Sequence, residues 1–399
     1  MLKTTPLQEL LARIHRLQLI MRETGADSAI IVQNADLFYF TGTVQQGFLF
    51  VPVEGDAIFF VRKILDRVRQ ESPLEKIFHA RSPKEIPGAL SDFGYPLPKI
   101  LGMELDVLPY NHYVRFEKAF AGCRIIDISP MIRSIRAVKS DYELQIMNDV
   151  ARLSDSMVLT AKRALREGMS ELELAAIVES TARAQGHQGV VRSRGFNQEN
   201  YWGQLISGPD AAMASFANSP TGGRGATLAF PKSSGYRTIK RNEPVMFDLV
   251  AARDGYLIDQ TRILSIGPLS VKLERAYKIA LEIHFELEQM IAPGVLAGEL
   301  YERGLNLSVR NGLDSHFMGY GSEKELFCGH GVGIELDELP IISFNSKEVL
   351  VPGMVIAVEP KFIFPDIGVI GVEDTFIVTD YGHKKLTAAP YEIEMKECS

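Results

Sequence analysis

The feature that most constrains the fold is an apolar hairpin with one acidic residue in each strand. Residues 245–262 form two runs of β-forming residues, joined by the strong turn signal Asp254-Gly255. A two-residue turn pairs residues whose numbers add to an odd value, so Asp248 and Asp259 are predicted on one face, directly or diagonally opposite. Two carboxylates this close in an apolar setting repel each other, and a hard cation would compensate them. Acidic pairs are common, so this pair alone does not establish a metal site.

A second acid-bearing hairpin is predicted near the C-terminus, centred on Asp366. Glu359 and Glu373 lie at equal distances in sequence from Asp366, so they are expected to meet across the strands. Glutamates in buried strands are rare unless they are paired or ligating. Between the two hairpins, His330 stands in Gly329-His330-Gly331-Val332-Gly333, where glycines let the backbone approach a ligand closely. Four carboxylates and one imidazole suit a two-metal hydrolytic site.

Composition excludes several other classes of protein. The chain has 399 residues and a net charge of −7 without a block of Lys or Arg, which argues against nucleic-acid binding. No apolar run reaches membrane-spanning length, and the N-terminus lacks the apolar region of a signal peptide, so no membrane partner is expected. Three widely separated cysteines, Cys123, Cys328 and Cys398, favour a reducing compartment. We therefore predict a cytoplasmic enzyme.

The order of the predicted elements indicates two domains. Residues 1–138 alternate strands and helices, which predicts an α/β domain. Residues 139–399 form the second domain, because Ser140 and Ser170, each followed three residues later by Glu, are capping boxes that open long helices. The first domain holds no cluster of catalytic residue types. Three of its polar residues are interpreted as packing, surface or interface residues: Asp36, Tyr39 and Glu104.

Together these motifs resemble the creatinase/prolidase/aminopeptidase P family of pita-bread metallopeptidases. The matching segments keep the order and spacing of the family's five metal ligands: Asp248, Asp259-Gln260-Thr261-Arg262, Gly329-His330-Gly331-Val332-Gly333, Glu359-Pro360 and Glu373-Asp374-Thr375. The likeness covers nearly the whole chain. It implies a creatinase-like α/β N-terminal domain followed by an α+β pita-bread catalytic domain.

The resemblance also implies roles for the five ligands. Asp259 and Glu373 would bridge two divalent ions, Asp248 would complete one ion site, and His330 with Glu359 the other. A water activated by both ions would attack the scissile amide, with Glu359 as general base. Oxygen-rich ligation favours manganese, with cobalt and zinc as alternatives. The implied activity is that of an Xaa-Pro aminopeptidase or dipeptidase, acting as a homodimer on small peptides or amides.

Three positions depart from the family pattern. Ser215 and Asp337 stand where Xaa-Pro-cleaving members usually carry His, and Gly371 stands where many carry Arg. Ser215 and Asp337 are therefore candidate substrate contacts, together with Arg192 and Tyr201. An alternative function follows, in which the same metal centre acts as a C–N hydrolase or lyase on a non-peptide small molecule. A non-catalytic binding module on this fold is the third hypothesis.

Overall fold

The computed structural model describes residues 3–395, with the backbone alone for Glu394 and Met395. The chain divides into two compact units. One consists of the chain up to Arg136 together with Arg194–Asn197, and the other of Ala137–Ser193 and the chain from Gln198 onward. The predicted boundary between residues 138 and 139 lies close to this change of unit. Within residues 3–395, no helix is both long and apolar enough to cross a membrane.

The first unit is a six-stranded mixed sheet with helices. Its strands are β1 (Ser28–Ile31), β2 (Gly47–Pro52), β3 (Ile58–Val61), β4 (Ile77–His79), β5 (Ile100–Met103) and β6 (Arg124–Asp127). The helices of this part of the chain are α1 (Leu7–Thr24), α2 (Asn34–Thr41), α3 (Leu65–Glu71), α4 (Ile86–Asp92), α5 (Tyr110–Ala119) and α6 (Ser129–Ala137). The sheet order is β4-β3-β2-β1-β5-β6, with β1 antiparallel to β2 and parallel to β5. The predicted α/β class of this domain is confirmed.

The polar residues that we interpreted as non-catalytic lie inside the first unit. Asp36, Tyr39 and Glu104 are each fully buried. Asp36 forms ion pairs with Arg136 at 2.6 Å and with Arg194 at 2.8 Å, so a buried charge is compensated within the unit. Of the three expected roles, packing is the one that the structure supports.

The second unit combines helices with antiparallel sheets. Its helices are α7 (Asp141–Ala164), α8 (Glu171–Ala184), α9 (Gly208–Ala211), α10 (Val271–Met290) and α11 (Ala297–Arg310). Its strands are β7 (Gly203–Ser207), β8 (Val245–Arg253), β9 (Tyr256–Ile266), β10 (Phe327–Gly331), β11 (Glu338–Ser343), β12 (Val355–Val358), β13 (Lys361–Phe364), β14 (Gly368–Gly371), β15 (Asp374–Thr379), β16 (Gly382–Lys385) and β17 (Glu394–Met395). They form a four-stranded sheet, β17-β9-β8-β7, a five-stranded sheet, β11-β10-β12-β15-β16, and the hairpin β13-β14.

Both capping boxes predicted for this unit are present. The side chains of Ser140 and Ser170 each accept a hydrogen bond from the backbone N–H three residues ahead, and the glutamate side chain there accepts one from the serine backbone N–H. These caps satisfy N–H groups that the first helical turn leaves without partners. They fix the starts of α7 and α8, and α7 packs against β8 and β9.

An apolar core lies under the sheets of the second unit. It joins one face of β8 and β9, through Met246 and Ile263, to α10 and α11 and to the inner faces of β12 and β15. Cys328 is part of this core and has no exposed surface. Cys123 and Cys328 are free thiols, and Cys398 lies outside the described residues. This core supports the strands that carry the acidic residues.

Candidate metal centre

The first acidic pair lies on one face of the β8–β9 hairpin, as predicted. Asp254 and Gly255 have φ angles of 52° and 88°, which the two-residue turn requires at both central positions. The turn sets the register in which Asp248 lies opposite Thr261 and Asp259 opposite Val250. The two aspartates are therefore diagonal neighbours, and both are buried.

The second acidic pair joins the first through a contact between the four-stranded and five-stranded sheets of the second unit. Val358 pairs with Asp374, and Lys361 with Gly371, so Glu359 and Glu373 face each other between β12–β15 and β13–β14. Glu373 also forms an isolated bridge with Thr261 of β9. This bridge places both glutamates over the face that carries the two aspartates.

His330 completes the cluster from the adjacent strand β10, which pairs with β12. Its Nε2 atom lies 3.8 Å from Asp259 Oδ2 and 3.8 Å from Glu359 Oε1. Its Nδ1 atom lies 3.1 Å from the carbonyl oxygen of Gly331, to which the Nδ1–H tautomer donates. That tautomer leaves the Nε2 lone pair directed at the carboxylates, which is the arrangement of a ligating imidazole.

Hydrogen bonds hold the inner carboxylates in place. Thr261 Oγ1 donates to Glu373 Oε2 at 2.7 Å, and the backbone N–H of Gln260 donates to Asp259 Oδ1 at 2.9 Å. Arg262 Nη1 donates to the backbone oxygen of Glu373 at 2.7 Å. The residues that follow Asp259 in the family-like motif thus orient the acidic residues, as outer partners of metal ligands commonly do.

The electrostatic state of the cluster reflects its burial and its excess of acids. Burial, with the charges of Glu373 and Asp248, raises the pKa of Asp259 well above its ordinary value. Burial likewise raises the pKa of Glu373 to about 7, although Lys361 opposes the shift. Burial disfavours charged His330, but the carboxylates of Asp337, Glu359 and Glu373 outweigh it and raise its pKa. Such crowding of carboxylates is typical of a site that binds cations.

Lys361 lies at the centre of this cluster, and sequence analysis missed it. Its Nζ atom is 2.6 Å from Glu359 Oε2, 3.0 Å from Asp248 Oδ2 and 3.4 Å from Glu373 Oε2. Burial would lower the pKa of Lys361, but these three carboxylates outweigh it and raise the pKa well above its ordinary value. A signal was available, because Lys361 follows Glu359 by two residues, the spacing that places strand residues on one face.

The side chains present fit a divalent ion on one side of the cluster. Asp259, His330 and Glu373 each offer a ligand atom, and these atoms all lie within 4.8 Å of one another. Glu373 Oε1 is buried and has no hydrogen-bond partner among residues 3–395. A buried carboxylate oxygen without a partner is costly, and a cation would satisfy it. On the other side, the ammonium of Lys361 already pairs with the carboxylates of Asp248 and Glu359.

Two of the four predicted substrate contacts border the cleft above the cluster. Asp337 and Tyr201 line this cleft together with Asp248, His330 and Glu359. Asp337 Oδ1 lies 3.8 Å from His330 Nδ1, and the Tyr201 hydroxyl donates to Glu179 at 2.7 Å. Both side chains are about half exposed, so a ligand in the cleft would meet them.

The other two predicted contacts lie elsewhere. The Ser215 hydroxyl donates to the backbone oxygen of Pro231, and Ser215 lines a separate pocket with Met213 and Leu228. The backbone oxygen of Arg192 accepts a hydrogen bond from Leu336, and Arg192 is not among the described residues that line the cleft. The geometry therefore gives no support to a substrate contact at either residue.

Lys232 is a second cation of the site that sequence analysis missed. It lines the cleft, and its Nζ atom donates to Asn200 Oδ1 at 2.9 Å. Burial lowers its pKa, against the attraction of Asp248, Asp337 and Asp259. No periodicity singles out this lysine, because it lies in an irregular segment between β7 and β8. It places a positive charge where an anionic group of a ligand could bind.

Comparison with known proteins now identifies the chain. Residues 13–138 match the creatinase/prolidase N-terminal domain, and residues 145–380 match metallopeptidase family M24. The chain belongs to metallopeptidase family M24. It is therefore a metal-dependent hydrolase, and the predicted family, fold class and enzyme class are confirmed.

Relatives of this M24 chain match nearly its whole length. The Xaa-Pro dipeptidase of Pyrococcus horikoshii is 27% identical over 94% of this chain and 96% of its own. The crystal structure of the prolidase from the same organism superposes with a TM-score of 0.81 and is 25% identical in sequence. The superposition covers 96% of this chain and 99% of that chain. The Xaa-Pro dipeptidase structure from Bacillus anthracis, at 24% identity, has a TM-score of 0.82 over 96% of this chain and 99% of its own and supports the same fold.

Proposed function

We propose that this M24 chain hydrolyses the peptide bond that precedes proline in short peptides, as an Xaa-Pro aminopeptidase or dipeptidase. The observation that carries the proposal is the buried cluster of Asp248, Asp259, His330, Glu359 and Glu373, four of which line a cleft. Relatives of matching length that are named Xaa-Pro dipeptidase support the choice of substrate.

The side chains of the cluster have different roles in the proposed reaction. Asp259, His330 and Glu373 would hold a divalent ion, which when bound supplies Lewis acidity and a nucleophilic water at neutral pH. Glu359 would act as general base, because its carboxylate borders the cleft and lies 3.8 Å from His330 Nε2. Thr261 would keep Glu373 in its ligating orientation.

The cleft also suits a short peptide with a free carboxylate. Lys232 on the cleft wall would pair with that carboxylate, whereas Tyr201 and Asp337 at the rim would contact the rest of the substrate. Asp337 in place of the usual histidine would bind a positively charged amino terminus better than an imidazole would. These contacts favour dipeptides over longer peptides.

A second candidate keeps the metal chemistry and changes the substrate. Ser215 faces a separate pocket, and Asp337 presents a carboxylate where peptide-cleaving members usually carry His. A small cationic amide or guanidino compound would match an acidic rim of this kind. C–N hydrolysis of such a compound is the alternative function.

Four further parts of the proposal come from the sequence alone. Manganese is the proposed ion, with cobalt and zinc as alternatives, because the ligands are mostly oxygen atoms. Five ligands of these types suit two ions where no other cation shares their oxygen atoms. A homodimer and a cytoplasmic location complete the proposal.

The test is cleavage of Xaa-Pro dipeptides and tripeptides by manganese-loaded protein, with a chelated sample as control. We expect chelator-sensitive release of the N-terminal residue, fastest for dipeptides. Glu359→Gln should lower the rate about 10²–10⁴-fold through loss of the base, whereas Glu299→Gln on the exposed side of α11 should leave it unchanged. Failure of metal-loaded protein to cleave any of these peptides would reject the peptidase function and favour the small-amide alternative.

A further inference from the structure

The ammonium of Lys361 occupies a position normally suited to a metal ion. It contacts carboxylate oxygens of Asp248, Glu359 and Glu373 at 2.6–3.4 Å, and the side chain is 2% exposed. A protonated lysine has three donors and no acceptor, so it pairs with these oxygens but cannot ligate an ion. Asp248 and Glu359 thus already have a cationic partner without any metal.

A divalent ion beside Asp248 would compete with Lys361 for the same oxygens. Such ions lie about 2.0–2.6 Å from their oxygen ligands, and the ammonium is 3.0 Å from Asp248 Oδ2 and 2.6 Å from Glu359 Oε2. The two cations would occupy overlapping space and would repel each other strongly in a buried site. The presence of one therefore excludes the other.

The remaining ligands still form a site for one ion. The ligand atoms of Asp259, His330 and Glu373 lie within 4.8 Å of one another, and Lys361 contacts neither Asp259 nor His330 among the ion pairs of the described residues. Glu373 uses Oε2 for Thr261 and Lys361, whereas its buried Oε1 has no partner among residues 3–395. This unpaired oxygen marks the side of the cluster that lacks a cation.

The β13–β14 hairpin provides the space for the lysine. Lys361 pairs with Gly371, and a Cβ atom at Gly371 would lie 2.6 Å from Lys361 Cγ. A side chain at position 371 would therefore displace the lysine from its present path. Gly371 and Lys361 are matched to each other, so the position of the ammonium is built into the hairpin.

We propose that the centre binds one divalent ion per chain, at Asp259, His330 and Glu373, and that the Lys361 ammonium replaces a second ion beside Asp248. This one-ion centre rests on the proposed metal-dependent function, and it is measurable without any substrate. It gives Lys361 the role of a fixed internal cation that holds the carboxylates of Asp248 and Glu359 in position.

The deciding experiment counts metal ions. The full-length protein is loaded with Mn²⁺ and freed of excess ion by gel filtration. Elemental mass spectrometry then gives the number of Mn²⁺ ions per chain, and electron paramagnetic resonance shows whether the ions are isolated or coupled. We expect one Mn²⁺ per chain with the six-line spectrum of an isolated ion. Lys361→Met, which removes the charge and keeps the length, should bind two ions and show the spectrum of a coupled pair. Lys232→Met, which removes a lysine of the same cleft, should stay at one ion.

Two aspartate variants keep the inference testable if Lys361→Met fails to fold. Asp248→Asn in the otherwise natural protein should still bind one ion, because Asp248 is paired with Lys361. Asp259→Asn should lose that ion. Two ions, or none, in the natural protein would overturn the one-ion centre, and so would a single ion in folded Lys361→Met.

The outcomes separate this inference from the proposed function. One bound ion together with Xaa-Pro cleavage supports both. One bound ion without cleavage of any peptide supports the centre and rejects the peptidase assignment. Two bound ions with cleavage support the assignment and reject the role of Lys361.

Discussion

At the scale of single residues, neighbouring charges shift the pKa values of two buried acidic groups in opposite directions. In the first unit, burial opposes charged Asp36, but Arg136 and Arg194 outweigh it and lower its pKa to about 2. Burial and the charge of Asp36 raise the pKa of Glu104 well above its ordinary value. The pKa values of the two neighbouring acids are thus shifted in opposite directions, and Glu104 Oε2 accepts hydrogen bonds from the backbone N–H groups of Val32 and Gln33.

This difference predicts a pH effect for Glu104→Gln. A raised folded-state pKa means that the contribution of Glu104 to stability is complete below the unfolded value of about 4.3 and is lost as pH rises toward the folded value. Glutamine mimics the protonated carboxyl and does not titrate. The variant should therefore gain stability relative to the natural protein between pH 5 and pH 8.

The measurement is hydrogen–deuterium exchange of peptides that cover β1 and β5, compared between variant and natural protein at each pH. Glu117→Gln on the exposed face of α5 is the matched control and should show no such trend. If the difference in exchange rate between the Glu104 variant and the natural protein did not change with pH, the raised pKa of Glu104 would be contradicted.

At the scale of elements, two hairpins determine the centre, each through a different property. The turn at Asp254-Gly255 sets the register that brings Asp248 and Asp259 to one face. The β13–β14 hairpin instead contributes space, because Gly371 leaves room for Lys361. Hairpin register is a local property, whereas this space depends on the side chain across the pair.

The pairing of Gly371 with Lys361 predicts how much a methyl group added at position 371 destabilises the protein. Gly371→Ala should lower the free energy of unfolding by about 1–3 kcal/mol, as expected for overpacking in a tight core. Truncation of the lysine removes the Cγ atom, so in Lys361→Ala the same change should cost less. The added Cβ atom would still lie 2.9 Å from Pro360 O and 3.0 Å from Lys361 Cα, so the alanine remains destabilising in that background.

Urea unfolding of the four proteins in this double-mutant cycle measures the coupling. Gly88→Ala is the control, because an added Cβ in α4 meets no atom within 4 Å. That change should be neutral or should stabilise the protein by about 0.5–1 kcal/mol. Equal costs of Gly371→Ala in both backgrounds would show that the lysine does not fill the space.

At the scale of the whole molecule, the chemistry belongs to one of the two units. All five candidate ligands, Lys361 and the cleft lie in the second unit. The first unit has its own sheet and its own apolar core. Binding of an ion to the native state stabilises the structure that holds the ligands.

We therefore predict that Mn²⁺ protects the second unit selectively from hydrogen exchange. Peptides from β8–β9, β10 and β12–β15 should exchange more slowly with Mn²⁺ than with a chelator. At free Mn²⁺ about 100 times the dissociation constant, the stabilisation is about 2.7 kcal/mol. Peptides from β1–β3 should exchange equally in both samples. Protection of the first unit alone, or of neither unit, would contradict the assignment of the ligands.

The sequence predicted the features that depend on neighbours along the chain. Turn chemistry indicated the β8–β9 hairpin, the Ser-to-Glu spacing indicated two helix starts, and parity of residue numbers placed Asp248 and Asp259 on one face. The order of five ligand types indicated the M24 family. Short elements of the first unit, such as β4 and α3, were not predicted, because their few residues carry little periodic signal.

Only the tertiary structure decided which groups share the centre. Ser215 and Asp337 are equivalent candidates in sequence, yet Ser215 lines a separate pocket and Asp337 the cleft. Lys361 is an ordinary strand residue in sequence, and it becomes part of the centre because the sheet contact at Thr261 and Glu373 brings distant carboxylates around it. Local patterns are set by bonds and turns between neighbours, and the cation content of a buried cluster depends on contacts across more than a hundred residues. The sequence thus predicted the candidate ligands, and the packing of the sheets decided that a lysine lies among them.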